Sequence, residues 1–280
     1  MRAAALPAAR RAAGLVPSLE ALGAWLLGLV WALPLLYSLW TAFHPAAYET
    51  HFTLGAPVTL ANFAAARQAA PFARYLFNTA LLISFILAGQ MVVSTLAAFA
   101  FARFTFRGRT LAFYAVLLQL MILPEALMVE NYRTVAALGL VDTIPAIGLP
   151  YLASGFGIFL LRQAFLTVPR ELDDAARVEG AGPLGLLWRV YLPVSRATLV
   201  AYGLVSVSYH WNNLLWPLIV TNSVGTRPIT VGLLIFASPD QGVSWALVAA
   251  SSLMSAAPLL VGFLLFQRAF VQSFMRAGIK

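Results

Sequence analysis

From Tyr75 to Ala102 the chain runs without one charged side chain. A helix rises about 1.5 Å per residue, so a run of this length clears the roughly 30 Å hydrocarbon core of a bilayer. Inside that core the backbone has no water to bond to, and a helix that bonds its own N–H and C=O groups is the structure such a run dictates. Comparable apolar stretches lie at about Leu19–Phe43, Thr110–Val129, Thr143–Leu161, Thr198–Thr221 and Val243–Phe266. With 61% hydrophobic and only 10% charged residues, a soluble globular domain is excluded. The expected fold class is an all-α membrane protein with six transmembrane helices.

The positive charges orient it. Cytoplasmic connections of membrane proteins are enriched in lysine and arginine. Placing the N-terminus inside puts Arg2, Arg10, Arg11, Arg103, Arg107, Arg109, Arg162, Arg170, Arg177, Arg189, Arg196, Arg268, Arg276 and Lys280 on that side. Only Arg67, Arg74, Arg133 and Arg227 are left outside. Both termini are therefore predicted to be cytoplasmic. The Arg-bearing start resembles the n-region of a signal sequence, but the apolar run behind it is too long for a cleaved one, so it reads as an uncleaved anchor. The formal charge of +8 does not point to nucleic acid, because the arginines are spread between apolar segments instead of forming a basic face. The expected divisions are 1–18, an N-terminal segment; 19–74, the first span with an external loop; 75–267, the core; and 268–280, a cytoplasmic tail.

One inner connection is far longer than a loop needs to be. Pro169 to Pro193 holds Glu171, Asp173, Asp174 and Glu179 and reads as two short helices. Pro169 suits a first helical turn, and Glu171 and Asp173 complement the dipole there. Arg177 follows Asp173 by four residues, the spacing of an ion pair. Leu172, Ala175 and Ala176 share one face, Gly180 and Gly182 end the first helix, and Pro183 opens a second that Pro193 stops or kinks. The pattern fits either a solvated amphipathic loop or a docking element for a partner.

Asp174-Ala175-Ala176, three residues, Gly180, nine residues, then Val190-Tyr191-Leu192-Pro193 resembles the signature loop of permease subunits of ATP-binding-cassette importers. Asp174 stands where that pattern has Glu, and Val190 where it has Ile. The stretches G-L-V-D-T from Gly139, L-P-Y-L-A-S-G-F-G-I-F-L-L-R-Q-A-F from Leu149, W-N-N-L-L-W-P-L-I-V-T from Trp211 and Q-R-A-F-V-Q from Gln267 narrow the resemblance. They are similar to the second permease of maltose- and glycerol-phosphate-type carbohydrate importers. The resemblance implies a type I importer (MetI-like) fold in a bacterial or archaeal cytoplasmic membrane. It also implies three partners: a second homologous permease, a dimer of ATPase subunits and an external solute-binding protein. Within 167–197, Glu171, Asp174, Ala175, Ala176, Gly180, Ala181, Leu192 and Pro193 are then the residues expected to couple to the ATPase. The tail residues Gln267, Arg268, Phe270 and Lys280 are expected to contact it as well. By its residues alone the tail reads equally as a membrane-surface helix. Ala197 departs from the family, which often has proline there.

Catalysis has no foothold in these residues. The only lysine is Lys280, so no phosphate-binding G-x-x-x-x-G-K-[ST] loop exists and any ATP and magnesium belong to a partner. His44, His51 and His210 lie far apart and cysteine is absent, which leaves no metal-ligand spacing. No serine has a nearby base. Polar residues at membrane depth are costly unless they face other helices or a wet cavity. Glu125, Tyr209, His210, Asn212 and Asn213 are thus candidates for a translocation path. Interhelical bonding with an aromatic belt accounts equally for the group from Tyr209 onward, and pairing with a partner's arginine for Glu125. The function expected is a sugar or polyol(-phosphate) permease driven by ATP; the alternative is a secondary transporter or channel that works without it.

Overall fold

The computed structural model describes residues 19–237 and 243–278, with side chains over 21–237 and 243–267. The predicted segment 1–18 and Lys280 fall outside the described residues, as do the side chains of Arg268 and Phe270. Every regular element among the described residues is helical. Three helices are long and apolar enough to cross a membrane unbroken: α1 (Leu19–Ala42), α3 (Phe72–Arg103) and α14 (Trp245–Gly278). Between α1 and α3 the short α2 (Ala61–Ala69) packs toward α14. Three bent pairs follow, and counting each as one span brings the total to six; the third joins Pro183–Val194 of the long connection to Arg196–Trp211.

The third predicted span, Thr110–Val129, is corrected most. Helix α4 (Arg109–Leu118) runs through a 3-10 turn to Met121. The chain then turns by 95° into the arm Pro124–Ala137, whose main part is α5 (Met128–Ala137). Pro124 has no N–H to donate and forces Leu123 into an extended conformation (ψ 131°), so the helix stops instead of kinking. Helical structure accordingly continues past the predicted end at Val129 to Ala137. The fourth span divides into α6 (Ile144–Gly148), which a 3-10 turn carries on to Tyr151, and α7 (Gly155–Leu166), bent by 50° and running past the expected end at Leu161. Thr143 and Ser154 cap these two arms by accepting from the N–H groups of Ala146 and Gly157.

The long connection does form two short helices, α8 (Arg170–Val178) and α9 (Pro183–Leu186), joined at Gly180, whose φ of +82° favours glycine. A π-helical turn, Leu187–Tyr191, and α10 (Leu192–Val194) follow, so Pro193 sits inside helical structure and the break falls at Ser195. There the chain bends by 79° into α11 (Arg196–Trp211). The predicted fifth span continues to Thr221, but α11 ends at Trp211 and α12 (Leu215–Val220) is a separate piece. A turn, α13 (Ile229–Gly232) and a 3-10 segment to Ala237 complete the connection to α14. The tail is not a separate segment; its backbone continues α14 to Gly278.

Helix α3 is the axis of the assembly, about 48 Å long by its 32 residues. Its end packs Ala98, Phe99 and Ala102 with Leu161 and Phe165 of α7, Leu186, Leu187 and Tyr191 of the connection, and Tyr202 of α11. Its middle packs Leu82 and Ile86 with Ile147, Trp216 and Val220. Gly157 lets α7 and α11 approach closely, because a Cβ there would lie 2.3 Å from the Tyr202 hydroxyl. Opposite the loop end, Arg74 donates to the carbonyl of Gly225 from Nε (3.1 Å) and Nη2 (2.8 Å).

Asp142 staples that opposite end. It holds φ +63°, and its carboxylate accepts from the N–H groups of Asn222 (2.9 Å) and Ser223 (3.0 Å) and from the Thr226 hydroxyl. Burial alone would raise its pKa, but the bonds from Thr226, Ser223 and Asn222 outweigh burial and hold the carboxyl well below the usual range. The folded pKa is depressed, so the stability Asp142 contributes is complete above about pH 5 and is lost as pH falls below about 4. Thermal unfolding of wild type and Asp142→Asn in detergent should differ by a constant margin at pH 6 to 8, and the margin should narrow toward pH 3.

Candidate functional site: a polar cavity at mid-span and an exposed helical loop

Polar side chains from four helices converge beside the helix breaks. Gln90, midway along α3 within its uncharged stretch Tyr75–Ala102, is buried. Its Oε1 accepts from the hydroxyls of Ser206 (2.6 Å) and Tyr202 (3.1 Å) on α11. Its Nε2 donates to the carbonyl of Tyr151 (2.8 Å) and faces His210 Nε2 at 3.2 Å. The Tyr151 carbonyl can only accept, which fixes the orientation of the amide. His210 Nε2 must then accept, so the imidazole is neutral and carries its proton on Nδ1. That nitrogen is buried and has no partner among the described residues. The Tyr151 and Tyr209 rings lie 4.8 and 5.0 Å from the imidazole.

This network floors a cavity of about 490 Å3, within the ~300–1,000 Å3 usual for ligand sites. Apolar walls come from Leu120, Met128, Phe156 and Trp216, and no ionised residue lines it. The hydroxyls of Tyr202 and Ser206 are turned to Gln90, whereas Gln119, Asn131, Ser154 and Tyr209 add further polar groups to the lining.

Of the predicted path residues, Tyr209 and His210 line this cavity. Asn212 and Asn213 do not. They occupy the break after α11, where Asn212 bonds back to the Ser208 carbonyl (2.8 Å) and Asn213 donates to the Tyr151 hydroxyl (2.8 Å). Glu125 is exposed beside the lining residue Pro124, and Glu130 pairs with Arg133 at 3.1 Å on the surface. Sequence reading missed Gln90, Gln119, Tyr151 and Ser206. Gln90 had a visible signal, being an amide near the middle of a long apolar run.

The loop presents two faces. Glu171, Leu172, Asp174, Ala175 and Gly180 are exposed, Ala176, Ala181 and Leu192 are half-buried against the core, and Pro193 is exposed. The expected apolar strip is therefore split, with Ala176 turned inward. Val178 (90% exposed), Leu184 and Trp188 extend the outward face. Asp173 corrects a second expectation, since it neither pairs with Arg177 nor faces water. It is the buried residue of α8, and the Tyr191 hydroxyl donates to both its oxygens. Burial, then the bond to Asp173, pushes the Tyr191 pKa up. Gln267 is exposed at the last described side chain and donates to the Leu264 carbonyl.

Broken spans around an uncharged polar cavity, with a structured helical connection at one end, define a multi-pass membrane transport component. The chain belongs to the family of binding-protein-dependent transport system inner membrane components, whose model matches residues 24–275. It is 31% identical over 259 residues to the sn-glycerol-3-phosphate transport system permease protein UgpE of Yersinia enterocolitica, covering 87% of this chain and 92% of that one. It is 36% identical over 200 residues to the protein of that name from Rhizobium meliloti, covering 71% of each. Among solved structures, a bacterial ABC transporter involved in import of the acidic polysaccharide alginate superposes with a TM-score of 0.78 at 20% identity, over 89% of this chain and 95% of that one. The same transporter type bound to its alginate pentasaccharide-bound periplasmic protein gives 0.63 at 17%, over 89% and 94%. These likenesses establish the fold. The chain is a non-catalytic permease subunit.

Gln90→Leu should lower the melting temperature of the purified protein, because it strands the Tyr151 carbonyl and two hydroxyls in a buried site. Each stranded group costs about 1–3 kcal/mol. Differential scanning fluorimetry in detergent would register this, and Gln119→Leu, which strands one N–H at the cavity rim, should cost less.

Proposed function

We propose that this chain is one of two permeases in an ATP-driven importer of a carbohydrate or polyol, with both termini in the bacterial or archaeal cytoplasm and six spans between them. The observation that carries the reading is the division of the loop: Asp174 and Ala175 face outward with Val178, Leu184 and Trp188, while the other side of the loop is packed into the core. Exposed apolar residues on a structured projection are a docking surface, and an ATPase dimer is the occupant that the family's transport chemistry requires. The arginine distribution supports the cytoplasmic side for this loop. The cavity supports a hydroxyl-rich solute, because its free amides and hydroxyls offer donors and acceptors and its aromatic rings offer apolar faces. Tyr209 and His210 line the path, with Glu125 near its rim. The second permease closes the open side, an external solute-binding protein delivers the solute, lipid covers α1, and the tail from Gln267 reaches the ATPase. ATP and magnesium are bound by that partner and not by this chain.

The relatives are named for sn-glycerol-3-phosphate transport. A phosphate would want a cation, and this cavity has none, so in such a system the other permease would supply it. The alternative of transport without ATP has no support once the family is known.

The test is a mild-detergent purification followed by uptake in proteoliposomes. A second permease and an ATPase should co-purify. Asp174→Arg and Gly180→Pro should each reduce ATP-driven uptake at least tenfold while the fold is retained; uptake that survives both in an assembled complex would sink the proposal.

A further inference from the structure

Asp174 faces outward from α8, so Asp173, about 100° around the helix, faces inward. Three other elements meet it there. Tyr191, from the π-helical turn, donates its hydroxyl to both carboxylate oxygens of Asp173, at 2.5 and 2.7 Å. Arg103, the last residue of α3, sits with its guanidinium carbon 4.8 Å from the centre of the Tyr191 ring. Its Nη2 donates to the carbonyls of Phe165 (3.2 Å) and Val168 (2.5 Å) at the end of α7. A second guanidinium nitrogen, Nε, is 3.8 Å from Asp173 Oδ2 and is buried without a hydrogen-bond partner among the described residues.

A buried N–H left just short of a carboxylate is a costly arrangement. An ordinary N–H···O distance is about 2.9 Å, so a shift of about 0.9 Å closes the pair. Arg103 is already tied to α3 by the chain and to the end of α7 by two bonds, whereas Asp173 is the buried residue of α8. Movement of α8 is therefore the movement that closes the gap.

We propose that Asp173, Tyr191 and Arg103 form the joint through which displacement of the loop reaches α3 and α7, with Arg103 Nε–H closing onto Asp173 as α8 is pressed inward. These are positioning residues: they touch neither solute nor nucleotide. α3 carries Gln90 and α7 follows Ser154, so both helices that Arg103 grips lead directly to the cavity wall. The inference rests on the importer reading, since it assumes a partner that pushes on the loop.

The chain has no cysteine, so Tyr209→Cys gives a reporter in the cavity lining that is unique within this chain and is read on its own band. The complex with its ATPase and second permease is purified, and the rate of modification by a water-soluble maleimide is measured with and without ATP, magnesium and vanadate. With the joint intact, nucleotide should change that rate. Adding Tyr191→Phe, which deletes a single hydroxyl, or Asp173→Asn should shrink the change at least fivefold, while ATP hydrolysis by the assembled complex stays within twofold. A nucleotide-dependent change that persists in full in both variants overturns the joint. If Asp173→Asn prevents assembly, Tyr191→Phe decides alone. Absence of any co-purifying ATPase, or a reporter indifferent to nucleotide with the joint intact, overturns the importer reading and the joint with it.

Discussion

Where a helix breaks inside a bilayer, the freed N–H and C=O groups have no water to turn to. Most polar side chains at depth in this chain answer that constraint. Gln119 Oε1 accepts from the N–H of Gly155 at the start of α7, and Gln90 donates to the Tyr151 carbonyl just before it. Trp216 Nε1 donates to the Ile147 carbonyl, Asn78 to that of Arg227, and Thr230 to that of Asn213, while Thr79 accepts from Ile229. The breaks and their polar partners are one design: each interruption sits against an unbroken helix or a neighbour that offers what the backbone lost.

The cavity is a by-product of that arrangement put to use. Side chains that satisfy the backbone on one side leave their other donors and acceptors facing open space, and the bent arms hold the walls apart. The absence of ionised residues from the lining keeps the cavity compatible with a low-dielectric surrounding. Charged residues lie instead toward the two ends of the molecule, Arg103, Asp173 and the exposed Asp174 at the loop end and Arg74 and Asp142 at the other.

Much of the fold could be read from the sequence because hydrophobic length is a local signal. The runs at Leu19–Phe43 and Tyr75–Ala102 became α1 and α3 nearly as expected, and Gly180 and Pro183 marked the joint of α8 and α9. The bends were legible only as punctuation. Pro124 marks a point where a helix cannot continue undisturbed, but the 95° bend depends on how the second arm packs against Ile147 and Trp216, which no local pattern encodes. The family and the transport role followed from motif spacing, and the family match bears them out. The candidate site was half visible. Tyr209 and His210 stood out as polar residues in an apolar span, whereas Tyr151 and Ser206 gained their roles only when separate helices met at Gln90. Asp173 was misread for the same reason: its neighbours in sequence offered a partner in Arg177, and its neighbours in space offered better ones in Tyr191 and Arg103.

The π-helical turn from Leu187 to Tyr191 has a consequence of its own. Such a turn carries one residue more than an α-helical turn of the same span, and it often stands beside functional positions. Here it relieves the crowding that Pro193 would impose on the preceding turn. It also sets the compass bearing of everything before it, because one residue more or less swings a side chain by about 100°. The stretch between Gly180 and Pro193 is thus measured by heading as much as by length. A chain one residue shorter there would still reach from the loop to α11, yet Tyr191 would point away from Asp173 and the two halves of the molecule would be joined without being in register.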